Sequence, residues 1–311
     1  MKLGSLTIKN KFLLAPMDMY SDSAFRKLCH DYDCGYSCTE LISTAGFVRK
    51  PESFKKKVDL EVKGGLQFIT NSAEELKESI RIVNNKEFYS NLKNVKSIDL
   101  NLGCPSEKMM KQNMGSALLN QPKLIKELFK IMKKHSSLPI SAKIRLAINA
   151  KHKKQSKPYL KIAQIAKEEG LDFITVHGRT AGQMYSGEVD IESIKEISSK
   201  VDIPLVGNGN VIDAESAKEF DFCSGLMIGR EALKRPYIFS LLQGKKFDDY
   251  KEKKKCIKTY LKYAQEFETG FQHIKIHTQS LLKGIEGSKE TIMGLTHTKS
   301  VEDIKELIKK I

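Results

Sequence analysis

The chain has 311 residues, 40% of them hydrophobic and 29% charged, with 20 Gly and 8 Pro. This composition excludes a disordered or collagen-like chain, and the length admits one large α/β barrel with a small appendage. Lys and Arg number 53 against 38 Asp and Glu, a net charge of +15 that points to a polyanionic partner such as nucleic acid or an anionic surface. No apolar run approaches the ~20 residues of a membrane helix. The N-terminus passes from Met1-Lys2-Leu3 into polar sequence with no signal-peptide core, so a cytoplasmic protein without membrane attachment is expected. The cysteines Cys29, Cys34, Cys38, Cys104, Cys223 and Cys256 are then reduced thiols rather than a disulfide framework. The Cys29-His30-x3-Cys34-x3-Cys38 cluster straddles predicted helix, loop and strand and lacks a CxxC knuckle, so no metal is expected there.

Short apolar, β-rich runs recur along the chain: Phe12 to Ala15, Tyr36 to Glu40, Leu66 to Ile69, Ser97 to Asn101, Ile140 to Arg145, Asp172 to Val176, Ile203 to Gly207 and Gly225 to Ile228. Helical periodicity fills most of the gaps, over Ala73 to Val83, Gly115 to Lys133, Tyr159 to Glu168, Ile191 to Ser199, Ala214 to Phe220 and Glu231 to Gln243. Nearly all-apolar strands spaced by helices read as parallel and buried on both faces, and the count matches a (β/α)8 TIM barrel, with a doubly wound sheet as the alternative. After Gln243-Gly244 the pattern turns Lys-rich and helical without strands, which divides the chain into a barrel over 1–244 and a small helical domain over 245–311. That second part holds 15 Lys against 10 acidic residues, so the basic surplus is spread over both parts, as a substrate bridging them requires.

In such a barrel the reactive groups stand at the C-terminal ends of the strands, and there the sequence turns polar. The strand ends read Ala15-Pro16-Met17-Asp18, Gln67, Asp99-Leu100-Asn101-Leu102-Gly103-Cys104-Pro105, Lys143 with Arg145, Val176-His177-Gly178-Arg179, Gly207-Asn208-Gly209-Asn210, and Ile228-Gly229-Arg230. The barrel's usual phosphate site is built from the loops after the seventh and eighth strands, where Gly209 and Gly229 let backbone N–H groups approach a phosphate and Arg230 supplies charge. The ring of Gln67, Asn101, Lys143 and His177 around it suits a flat heteroaromatic with several hydrogen-bonding edges, and flavin mononucleotide (FMN) fits better than a small sugar phosphate.

These residues carry a resemblance. Leu14-Ala15-Pro16-Met17 with Thr39-Glu40, Asp99 to Pro105, Gly115-Ser116-Ala117-Leu118-Leu119, Lys143-Ile144-Arg145, Val176-His177-Gly178-Arg179-Thr180, Tyr185-Ser186-Gly187, Asn208-Gly209-Asn210, and Met227 to Arg230 with Arg235-Pro236 run in the order of the tRNA-dihydrouridine synthase family, which the chain resembles from about residue 12 to 240. His277 and Leu282-Lys283-Gly284 resemble that family's C-terminal helical domain, although Ser280 and Leu281 replace its usual aromatics. The resemblance implies a flavoenzyme that uses NADPH to reduce particular tRNA uridines to 5,6-dihydrouridine, with hydride passing from FMN N5 to uracil C6. By matching position it makes Cys104 the general acid that protonates C5. It sets Pro16 and Met17 beside the isoalloxazine, Gln67, Lys143 and His177 on the flavin, Asn208, Gly209, Asn210, Gly229 and Arg230 around the phosphate, and Asn101 near the substrate base.

The chemistry asks for these residue types. Hydride arriving at C6 leaves negative charge on C5 and O4, which an acid within hydrogen-bond reach must quench, and an ordinary thiol of pKa ~8.5 is mostly protonated at neutral pH. A uracil must also leave its stack to meet a flavin, which demands a basic rim. Lys151, Lys153 and Lys154 after the fifth strand, with Arg145, Arg179 and Arg235, are expected to meet the tRNA, and the Lys251 to Lys258 run with Lys275 and Lys283 to grip its body. The chain is expected to act as a monomer. Two other functions compete: a flavin-dependent dehydrogenase or reductase of a free pyrimidine, which needs none of the basic surface, and a non-catalytic tRNA-binding protein, against which the intact flavin positions and Cys104 argue. The His273-x3-His277 pair shares a helix face but has no acidic or cysteine partner in register, so no metal is expected there.

Overall fold

The structure, a computed structural model, describes residues 1–54, 57, 62–85 and 94–309. A two-residue hairpin, β1 (Lys2–Leu3) and β2 (Leu6–Thr7), precedes the barrel strands β3 (Phe12–Leu14), β4 (Tyr36–Ser37), β5 (Ile42–Ser43), β6 (Gly64–Ile69), β7 (Val95–Leu102), β8 (Ile140–Arg145), β9 (Phe173–His177), β10 (Leu205–Asn208) and β11 (Gly225–Ile228). The nine barrel strands pair in the order β4-β3-β11-β10-β9-β8-β7-β6-β5, all parallel. Cys38, one residue past β4, bridges Gly65 of β6, and Thr39 N donates to Gly65 O at 2.9 Å, so the ring closes. β4 and β5 are therefore two halves of one barrel position. Eight positions and closure give the TIM barrel and exclude the doubly wound sheet.

The hairpin is a plug that the N-terminal sequence did not announce. Leu3, Leu6 and Ile8 pack with Leu13, Tyr36, Phe173, Val206 and Met227 into an apolar cluster inside the barrel, separate from the core between strands and helices. Asp172, just ahead of β9, accepts from Ser5 N and Ser5 Oγ and thereby fastens the plug to the floor.

Two helical runs read as continuous are split. Gly115 to Lys133 is a 3-10 segment, Gly115–Asn120, followed by a helix Pro122–His135, because Pro122 supplies no N–H and opens a new helix at its first turn. Glu231 to Gln243 divides into Arg230–Lys234 and Ile238–Leu241 around Pro236 for the same reason. Four further helices, Asp249–Glu266, Phe271–Leu282, Ser288–His297 and Val301–Ile308, follow the barrel. Residues 310–311 of the predicted helical domain lie outside the described residues. Cys256, Ile257, Tyr260, Ile274, Leu281 and Leu282 join the same apolar core as Phe25 and Leu28 of the barrel helix Ser23–Asp31, so the C-terminal helices sit on the barrel wall beside β3.

Candidate active site

Side chains two apart on a strand share a face, and the register sets Gln67 opposite Asp99, Asp99 opposite Ser141, Asn101 opposite Lys143, Arg145 opposite His177, and His177 opposite Asn208. The inner wall of β6 to β10 is thus a continuous polar sheet in an otherwise apolar barrel. Its members hold one another. Asp99 accepts from Gln67 Nε2 at 2.8 Å and from Ser141 Oγ at 2.6 Å; Asn101 Nδ2 donates to Gln67 Oε1 at 2.8 Å; Lys143 Nζ donates to Asn208 Oδ1 at 3.0 Å; and Asn208 Nδ2 donates to Met227 O at 2.7 Å. Above this wall opens a cavity of about 570 Å³ at the C-terminal end of the strands.

Thirteen of the residues singled out from the sequence line this one cavity: Pro16, Met17, Gln67, Asn101, Cys104, Lys143, Arg145, His177, Asn208, Gly209, Asn210, Gly229 and Arg230. Cys104 is half-buried on the loop after β7. Asn101 Oδ1 accepts from both Gly103 N (3.1 Å) and Cys104 N (2.9 Å), an Asx turn that aims the thiol. Arg145 Nε donates to Gly103 O at 3.0 Å, and Ser116 N to Cys104 O at 3.0 Å. Gly115 has φ +61°, and a Cβ there would stand 2.7 Å from Cys104 O. Gly115→Ala is accordingly expected to cost at least about 1–2 kcal/mol for the left-handed backbone alone, read as a lowered Tm, and to reduce turnover beyond what the lost stability explains, because relief of the clash moves Cys104.

The electrostatics are one-sided. Burial, then the neighbouring Arg145, lowers Lys143 to about 8. Burial also lowers Arg145 to about 10. Burial first, then Lys143, Arg145, Arg179 and Arg230, hold His177 far below the usual histidine range, so it presents a neutral imidazole. Burial raises Asp99 to about 6, against the pull of its Ser141 and Gln67 hydrogen bonds and the charge of Lys143. Arg230 donates to Asn210 Oδ1 at 3.0 Å, and the N–H groups of Gly209 and Asn210 take no acceptor among the described residues. Gly209, at φ +144°, has no room for a Cβ, which would meet Val189 at 2.9 Å. Uncommitted backbone donors beside Arg230 and Lys143 form an anion cradle, and neutral amides and an imidazole line the wall beside it.

The remaining predicted substrate residues do not line the cavity. Arg179 is buried, with Nε donating to Ser186 O (3.1 Å) and Nη2 to Gly187 O (2.6 Å); it braces a loop rather than facing a substrate. Arg145, although in the cavity wall, donates Nη1 to Thr180 O and Met184 O at 2.9 and 2.8 Å as well as Nε to Gly103 O, leaving only Nη2 for a substrate. Arg235 is held by Glu231 and by Ile212 O. Lys153 is paired with Asp190, whereas Lys151 and Lys154 stand exposed on the helix Ala150–Ser156 beyond the rim. In the C-terminal run, Lys253 is buried, paired with Asp249 and donating to Lys283 O, so it is a structural residue and not an RNA grip. Lys275 donates to Thr296 O.

Sequence reasoning missed several contributors. Ser280 reaches the cavity from the C-terminal helices, beside Lys283, which was expected at the RNA but not in the cavity wall, and Tyr20, Met184 and Tyr185 complete the wall. The reading of His273 and His277 as lacking acidic partners is corrected: Glu40 lies 3.4 Å from His273 Nε2, and Asp22 lies 2.8 Å from His277 Nε2, with the buried His277 ring stacked on Phe25 at 4.5 Å. The two histidines clasp the helical part to the barrel through carboxylates more than 200 residues away.

The model of the dihydrouridine synthase (Dus) family matches residues 13–310. The chain belongs to this family. It is therefore an oxidoreductase. Among curated relatives, tRNA-dihydrouridine synthase B of Pasteurella multocida is 31% identical over 249 residues, covering 78% of this chain and 72% of that protein. The Shewanella oneidensis protein of the same name is 33% identical, covering 78% and 74%. Solved structures share the fold at low identity. The one titled TcOYE with pHBA superposes with a TM-score of 0.54 at 11% identity, covering 78% of this chain and 91% of that one. The 6-hydroxypseudooxynicotine amine oxidase of Pseudomonas geniculata N1 superposes at 0.58 and 10% identity, covering 83% and 52%. No helix among the described residues is long and apolar enough to cross a membrane.

Proposed function

We propose that this Dus-family enzyme reduces uridines of tRNA to 5,6-dihydrouridine, with FMN held in the cavity and NADPH as the reductant. The observation that carries the reading is the convergence of a thiol, an anion cradle and a ring of neutral amide and imidazole groups on one cavity of about 570 Å³. Gly209, Asn210, Gly229 and Arg230 would hold the flavin phosphate, Lys143 and Gln67 the polar edges of its ring, and Pro16 and Met17 one of its faces. When bound, the flavin supplies hydride to uracil C6. Cys104 Sγ–H then delivers the proton to C5, so that one hydride and one proton saturate the double bond. Asn101 fixes the Cys104 backbone, and Lys143 would set positive charge against the polar edge of the bound ring. His177 stays a neutral hydrogen-bonding group. The barrel carries the chemistry, and the C-terminal helices, which bring Lys283 to the rim, help grip the RNA.

The purified protein is expected to be yellow or to bind FMN stoichiometrically, and with NADPH to form dihydrouridine in tRNA from cells lacking this gene. A chain that binds no flavin removes the cofactor assignment. Flavin turnover by NADPH without any dihydrouridine in tRNA, but with reduction of free uracil, favours the free-pyrimidine reading instead.

A further inference from the structure

Few large apolar side chains are exposed among the described residues, and two of them, Met184 at 50% and Tyr185 at 53%, stand side by side in the cavity wall. They ride on a loop that is held rather than loose. Arg145 Nη1 grips Thr180 O and Met184 O, and Arg179 grips Ser186 O and Gly187 O from below. Gln183 Oε1 accepts from Thr180 N at 2.8 Å. Met184 is kept at φ +48°, a left-handed conformation that an unbranched but bulky residue adopts only when its surroundings impose it. Two arginines, Arg145 in the cavity wall and the buried Arg179 beneath it, are thus committed to carbonyls of one loop, and what that loop presents to solvent is an aromatic ring. Arg230 lies 4.8 Å and Arg145 5.7 Å from the ring centroid. The ring is oriented by cations at the edge of a basic mouth that also includes Lys234 and Lys283.

We propose that Tyr185, with Met184 beside it, is a stacking platform for a nucleobase of the RNA strand adjoining the nucleotide that enters the cavity. An exposed, pre-positioned aromatic on a basic rim is the chemistry that binds single-stranded nucleic acid without reading sequence: the ring, oriented by Arg230 and Arg145, takes the π-face of a base while the rim lysines Lys234 and Lys283 meet the phosphates. The platform would hold the neighbour while the target base is everted, and so share the cost of unstacking. Tyr185 acts as a substrate-positioning residue, apart from the proton and hydride steps. The inference rests on tRNA being the substrate.

The chain contains no Trp, so Tyr185→Trp places a single indole at the platform. Titrating this flavin-loaded variant with unmodified tRNA, and separately with a short oligouridylate, is expected to quench the indole emission saturably. Tyr185→Ala and Tyr185→Leu should both weaken oligouridylate binding by roughly tenfold, with KM for tRNA rising more than kcat falls, whereas Tyr185→Phe retains binding. Leucine keeps bulk but not the π-face, so its failure separates stacking from simple filling. Wild-type-like affinity in both the Ala and Leu variants, or unchanged indole emission while filter retention shows the RNA bound, overturns the platform and leaves the enzymatic reading intact. A wild-type chain that retains neither RNA overturns both.

Discussion

Cys104→Ala is expected to lower dihydrouridine formation by roughly 10²- to 10⁴-fold, the usual worth of a positioned general acid, while NADPH still reduces the bound flavin at its normal rate. The structure makes this a clean substitution. Every contact that shapes the loop is made by groups other than the sulfur: Asn101 Oδ1 receives backbone N–H groups, Arg145 and Ser116 address backbone carbonyls, and Gly115 packs under the peptide. Removing Sγ therefore leaves the turn standing and the cavity open, and only the proposed proton source is lost. Cys104→Ser should restore little, because a hydroxyl is a far weaker acid than a thiol. Stopped-flow flavin bleaching by NADPH, set against product in tRNA, separates the two half-reactions. Equal losses in both would show that Cys104 supports the cofactor site rather than the proton transfer.

The barrel was legible in the sequence because parallel strands buried on both faces are apolar almost throughout, so the lone Gln67 of β6 and the polar residues at every second position of β7 to β9 stood out as a site. What escaped was whatever depends on contacts distant in sequence. The run Tyr36 to Glu40 reads as one strand, yet it breaks because Thr39 Oγ1 accepts from Gln67 N and Glu40 turns to His273. Arg145 and Arg179 are basic residues beside a proposed RNA site, and nothing local reveals that the loop over residues 180–187 exposes carbonyls needing donors. Leu3, Leu6 and Ile8 form too short a pattern to signal a plug. Ser280 departs from the aromatic expected of its family, and the structure places this small residue in the cavity wall, where a large ring would narrow the mouth. The acidic partners of His273 and His277 lie on the barrel, beyond the reach of any argument from helix spacing.

Flavin affinity is expected to be level below about pH 8 and to weaken progressively above it, and the cause is Lys143. Burial and the charge of Arg145 hold its amine at about 8 instead of 10.5. Below that pH the cation is already present; above it, an anionic ligand must draw a proton onto Lys143 as it binds, which costs affinity by up to about tenfold per pH unit. Arg145, at about 10, keeps its charge through most of this range and does not blur the break. The same shift has the opposite sign for folding. Between about pH 8 and 10.5 the unfolded chain binds more protons at this lysine than the folded one, so the ligand-free protein gains stability as pH rises through that window. At neutral pH the buried charge is a standing cost, on the order of 2 kcal/mol after allowance for its partial exposure. Lys143→Met should therefore raise the Tm of the ligand-free protein at pH 7 while weakening flavin binding and flattening its pH profile, the pattern of a residue kept for function at the expense of stability. Titration of FMN into both proteins from pH 6 to 9.5, with melting curves at each pH, measures both effects. A wild-type affinity that stays level to pH 9.5, or a methionine variant that melts lower at every pH, would mean that Lys143 is a structural cation satisfied by Asn208 and not the charge waiting for the cofactor.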